Sequence, residues 1–167
     1  MRTIISFTLI VIYSCTSNEN TLVTNDKGHY SIISLPEWTV KNDGVTTKIS
    51  KTKYYGTDYV TGTVTITEGL TDYKTLDETF DTYLSQFQYA FKDFRKINEG
   101  RTQINGLPTR WFRMTDNVEG TTYETVQYVI QLTSDKVFLL NCSATKDKYT
   151  DFEEEFNKIV FSYKRLD

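Results

Sequence analysis

Histidine, cysteine and proline are scarce in this chain of 167 residues, which holds one His, two Cys and two Pro. Multi-His and Cys-rich metal centres need three or four such ligands, so no metal site is expected, and no cofactor either. Eight Gly beside two Pro exclude collagen-like and linker-rich chains. An excess of positive charge is also missing. The formal net charge is −3, which argues against nucleic acid as a partner, because phosphate neutralisation needs a basic surface. No G-x-G-x-x-G, P-loop, G-x-S-x-G, H-E-x-x-H or EF-hand spacing occurs. With 38% hydrophobic and 25% charged residues the composition is that of a folded protein, and the length suits one domain with a real core.

The N-terminus reads as an address. Met1 and Arg2 give a positive start, Thr3 to Tyr13 is an uncharged apolar stretch, and Ser14 and Cys15 follow. This is the outline of a secretory signal, and the stretch is too short to span a bilayer, which takes about 20 residues. The Cys directly after the apolar stretch resembles the bacterial lipobox. Ile12 and Ser14 fit that pattern, and Tyr13 is bulkier than usual at its place. The resemblance implies diacylglycerol on the Cys15 thiol, cleavage between Ser14 and Cys15, and N-acylation. Several acyl chains hold a protein stably, at about 0.8 kcal/mol per buried methylene. The competing reading is an ordinary cleaved signal that leaves Cys15 as an early mature residue. Residues 1–14 are thus expected to be signal, residues 15–27 a polar lipidated tether, and residues 28–167 a single domain.

Alternating patterns mark strands at Tyr30–Leu35, Val45–Lys51 and Tyr59–Thr67. Thr75 and Glu78 form a capping box, and Leu76, Phe80, Tyr83, Leu84, Phe87 and Phe91 then make one helical stripe. Strands are predicted over Phe94–Ile104 and Leu107–Thr115 around an Asn105-Gly106 turn, then over Thr121–Thr133 and Lys136–Ala144. Thr150 and Glu153 repeat the capping-box spacing before a second helix with Phe152, Phe156, Ile159 and Val160 on one face, and Phe161–Lys164 reads as a last strand. The fold class is therefore α+β: an antiparallel sheet whose apolar face two helices cover.

The segments GHYSIISLPEWTV, INGLPTRWF, VQYVIQLTSDKVFLLNCSA and YTDFEEEFNKIVFSYKR resemble the PsbP-like fold family, the Mog/PsbP/DcrB group, in its opening strand, mid-chain hairpin, paired strands and closing helix and strand. The likeness runs from about Gly28 to Arg165. Thr109 and Tyr163 stand where the family usually has Ala and Phe. The resemblance implies an α/β/α-type sandwich and a non-enzymatic accessory, assembly or binding role. Its motifs are packing motifs, and no active site carries over.

Three features bear on chemistry. Cys142 lies in an apolar strand, where a buried inert thiol is expected, and the single His29 stands far from it in sequence, as a turn residue. The acids Asp77, Glu78, Asp81 and Glu153 to Glu155 lie near helix starts, where capping and the dipole explain them, so no catalytic residue is assigned. Tyr54, Tyr55 and Tyr59, with Trp38, form an aromatic candidate site for stacking on a sugar or docking a protein; packing on the sheet edge is the alternative. The expectation is a membrane-anchored bacterial envelope lipoprotein that binds another envelope protein. A small-ligand or glycan binder comes second and a hydrolytic enzyme third. Thr16, where an Asp would resemble an inner-membrane retention signal, leans toward the outer membrane.

Overall fold

The computed structural model describes residues 19–72, 75–133 and 135–166. The expected signal peptide, with Ser14 and Cys15, lies outside the described residues. The elements run β1 (Thr21–Asn25), β2 (Tyr30–Ser34), β3 (Thr39–Asp43), β4 (Thr46–Tyr55), β5 (Asp58–Leu70), α1 (Leu76–Ala90), β6 (Arg95–Ile104), β7 (Leu107–Val118), β8 (Thr121–Gln131), β9 (Lys136–Thr145), α2 (Thr150–Val160) and β10 (Lys164–Arg165). The class is α+β, as the patterning predicts. The strands form two antiparallel sheets rather than one: a small sheet β1-β2-β10 and a seven-stranded sheet β3-β4-β5-β9-β8-β7-β6.

Two strands carry no clear alternation in the sequence, although Trp38–Val40, at the start of the second, reads as extended. β1 falls within the expected tether. Its polar sequence hides a strand because only one side is buried: Val23 and Asn25 point inward while Leu22 and Thr24 are exposed. Asn25 is fastened by its side chain, which donates to Tyr30 Oη at 3.2 Å and Thr47 Oγ1 at 3.1 Å and accepts from the Gly28 amide at 2.9 Å. β1 thus extends the folded sheet structure back to Thr21, into the segment expected as tether. β3 is an edge strand exposed along its whole length, so it carries no alternation to read.

The chain crosses over after β5. α1 carries it to the far edge of the large sheet, and β6 to β9 return as a meander that closes against β5. Asn105 and Gly106 take the left-handed φ values of 49° and 82° that the β6–β7 turn requires. α1 packs on β7 and β8, where Phe80 meets Phe112, Met114, Val129 and Val137. α2 and the small sheet cover the opposite face, where Phe152, Phe156, Tyr30 and Ile32 meet Ile49, Val64, Leu140 and Cys142. The two helices thus lie on opposite faces of the sheet and not on one. Alternation along β8 already serves both cores: Val126, Tyr128 and Ile130 point to α2, and Val129 points to α1.

The two helix starts differ. Thr75 closes its capping box: its Oγ1 accepts the Glu78 amide at 3.2 Å, and Glu78 Oε2 accepts the Thr75 amide at 3.1 Å. The second box does not form. α2 starts from a helical turn at Tyr149 with no side-chain cap, and Glu153 instead accepts from Arg113 Nη1 at 2.9 Å. The Tyr149 ring at this start is buried.

Candidate functional site

The aromatic site expected from the sequence comes apart in three dimensions. Trp38 is only 7% exposed and packs edge-on against Phe152 and Phe156. Its indole N–H donates to Glu155 on α2, so it is a core residue rather than a docking ring. Tyr55 turns to the α2 face as well. Its hydroxyl donates to Asp151 Oδ2 at 2.6 Å, and Lys148 sits 4.5 Å over its ring. That hydrogen bond, with some burial and the Asp151 charge, pushes the Tyr55 phenol up to about 12. Tyr54 and Tyr59 remain together. They are paired across the β4–β5 hairpin with ring centroids 6.4 Å apart and stand 77% and 68% exposed. Period-two alternation explains the split, since neighbours in a strand face opposite ways.

Tyr54 and Tyr59 stand at one end of an open sheet face. α1 packs mainly on β7 and β8 and reaches Val137 and Leu139 at the start of β9, so the same face of β3, β4 and most of β5 is not covered by it. The side chains of this uncovered part are polar, mainly hydroxyls with Lys41 and Lys48 among them, where the covered part has Phe and Met. Across the strands run Thr39, Ser50, Thr63, Ser143 and Thr125, each aligned with the next in the pairing register. Thr52 and Thr61 share a hydrogen bond of 2.9 Å, and Thr125 donates to Ser143 at 3.0 Å. The Thr-rich face of β5 therefore belongs to a surface that spans β3, β4, β5 and β9 and ends at the buried Thr125 of β8.

Where this face meets the C-terminal end of α1, a cleft of about 290 Å³ opens between Phe91, Met114, Asp116, Val118, Tyr123, Thr125, Asn141 and Ser143. Asp116 is 5% exposed. No ion pair and no side-chain partner reaches it among the described residues. Burial pushes its carboxyl above the ordinary value, with only its own backbone amide opposing. Next to it, Gln127 and Asn141 join in a ladder, Asn141 donating to Gln127 Oε1 at 3.2 Å. The sequence reading missed this group. The signal was present: Phe112 and Met114 alternate inward, and Asp116 occupies the next inward position of the same strand.

The other candidates have structural duties. Asp77 accepts from Arg101 at 2.6 Å and Arg110 at 2.8 Å, which holds its carboxyl below the ordinary value and ties α1 to β6 and β7. Glu155 gathers Lys51, Lys53 and Trp38, while Glu154 pairs with Lys158 along α2. Arg113 bridges Glu124 and Glu153. Cys142 is buried, and burial pushes its thiol up. His29 is an exposed turn residue at φ 53°, and its carbonyl accepts the Leu166 amide.

No protein-family profile and no curated protein sequence matches the chain. Solved structures do match. LpqN of Mycobacterium tuberculosis, described as involved in cell envelope biogenesis, superposes with a TM-score of 0.64 at 16% identity, over 89% of this chain and 91% of that one. The Ran-binding protein Mog1p of Saccharomyces cerevisiae gives 0.60 at 12% identity, over 90% and 97%. The cyanobacterial PsbP of Synechocystis sp. PCC 6803 gives 0.59 at 12% identity, over 96% and 98%. At such identities the likeness is one of fold, and the fold of this chain is the α+β sandwich of the PsbP and Mog1 proteins.

Proposed function

We propose that this protein is a lipoprotein of the bacterial cell envelope, anchored through Cys15, whose domain is a non-catalytic binding module for another envelope protein, in an accessory or assembly role. The observation that carries the reading is the open hydroxyl-lined face of the large sheet, with Tyr54 and Tyr59 exposed at its end. A sheet face of this size left outside both cores is a surface free to dock, and paired Tyr rings are strong contact residues. The clustered carboxylates and the thiol have structural places, which favours binding over catalysis. LpqN, whose fold is similar, is described as acting in envelope biogenesis, and that agrees with the address read at the N-terminus.

With β1 starting at Thr21, residues 16–20 span at most about 18 Å. The domain would then work close to the membrane surface, the outer membrane in preference to the inner.

Cys15→Ser tests the anchor. The variant should fold and leave the membrane fraction; a variant that stays with membranes overturns the anchor. Crosslinking of the native anchored protein, followed by identification of what co-purifies, tests the module. Tyr54→Ala with Tyr59→Ala should remove that partner, and an unchanged set of crosslinks would count against the open face.

A second reading, a small-ligand or glycan binder, is favoured by the cleft beside Asp116.

A further inference from the structure

A buried carboxylate without a counter-charge is costly, and proteins ordinarily pair or neutralise it. Asp116 is 5% exposed, has no ion pair and no side-chain partner among the described residues, accepts only from its own backbone amide, and lines an open cleft. Its strand neighbours on the same face, Phe112 and Met114, are core residues. An apolar residue at position 116 would simply extend that core.

A second, independent feature gives the cleft the same electrostatic sign. Phe91, on its wall, is the C-cap of α1, and the last turn of that helix holds no basic residue. The negative end of the helix dipole is therefore not offset within the helix. Lys92, next in the chain, is exposed and does not line the cleft. Both the carboxylate and the helix end favour a positive charge in the space between them.

The remaining walls narrow the ligand further. Tyr123, Thr125, Asn141 and Ser143 bring hydroxyl and amide groups that both donate and accept, while Phe91 and Met114 bring an apolar side. The volume of about 290 Å³ lies just below the range of roughly 300–1,000 Å³ that suits drug-sized ligands. A compact ring that carries hydroxyls and one ammonium group matches all of these walls. We infer that this cleft is a binding site for an amino sugar with a free amine, its ammonium group paired with Asp116 and its hydroxyls held by Tyr123, Thr125, Asn141 and Ser143. The site is separate from Tyr54 and Tyr59, and it depends on neither the lipid anchor nor a protein partner.

The test is calorimetric titration of the full-length protein in detergent with D-glucosamine, D-glucose and N-acetyl-D-glucosamine, on the wild type and on Asp116→Asn. Glucosamine should bind at least about tenfold more tightly than the two neutral sugars, and Asp116→Asn should erase that preference. A melt of unliganded Asp116→Asn gives the second readout. It should unfold at or above the wild-type temperature, because the isosteric amide removes an unpaired buried charge. A marked fall in that temperature would mean that Asp116 serves the fold and not a ligand. Tyr123→Phe removes one hydroxyl from the wall and should weaken glucosamine without abolishing it. No binding of glucosamine, equal binding of glucose, or a preference that survives Asp116→Asn would overturn the proposal.

Discussion

The indole of Trp38 donates to Glu155 Oε2 at 2.5 Å and so ties the entry to β3 to the middle of α2. Lys51 and Lys53 converge on the same carboxylate, so one acid holds β3, β4 and α2 together. Burial opposes the charge on Glu155, but the bonds from Lys53, Trp38 and Lys51 prevail and hold its carboxyl below the ordinary value. A group with a depressed folded pKa stabilises fully above its unfolded value, about 4.3 for Glu, and loses that contribution as pH falls through the folded one. Glu155→Gln should therefore cost about 1–2 kcal/mol near neutral pH, discounted for partial exposure. Denaturant melts at several pH values should show the gap from wild type closing as pH falls below about 4. A gap that holds constant with pH would exclude the charged network.

The helix starts make a paired prediction. Thr75→Ala removes a working capping box and should cost about 1 kcal/mol. Thr150→Ala removes a hydroxyl that caps nothing and should lie within about 0.5 kcal/mol of wild type. Chemical denaturation of the two variants side by side checks this, and equal losses would contradict the observed caps.

Gly62 is needed for space. A methyl there would overlap the Phe152 ring where α2 presses on β5. Gly62→Ala should lose about 1–3 kcal/mol through overpacking, and Gly62→Ala with Phe152→Leu should recover part of the loss. Thermal melts of the single and double variants measure the coupling.

The exposed rings behave in the opposite way. Tyr54→Ala and Tyr59→Ala leave both cores untouched and should change stability by no more than about 0.5 kcal/mol each. Trp38→Ala opens a cavity beside Phe152 and Phe156 and should cost about 3–5 kcal/mol. Melting curves of the three variants separate the surface rings from the core ring, which look alike in sequence.

Local physics determined much of this protein from sequence alone. The stripe from Leu76 to Phe91 with its Thr75–Glu78 cap, the Asn105-Gly106 turn, the alternation of β8 and β9 and the buried place of Cys142 all depend on neighbours a few residues away. Other features depended on partners far along the chain. β1 and β3 are one-sided or fully exposed, so only pairing with β2 and β4 makes them strands. Glu153 left its capping position because Arg113, 40 residues away, offered a charged bond. The closure of β5 on β9 and the placing of the helices on opposite faces came from the crossover of α1, which no local pattern records. That crossover covers one part of a sheet face and leaves the other open, with Tyr54 and Tyr59 outside and Asp116 in a cleft at the border, while α2 on the opposite face buries Trp38. Alternation fixes which residues share a face, but only long-range packing decides whether that face is covered.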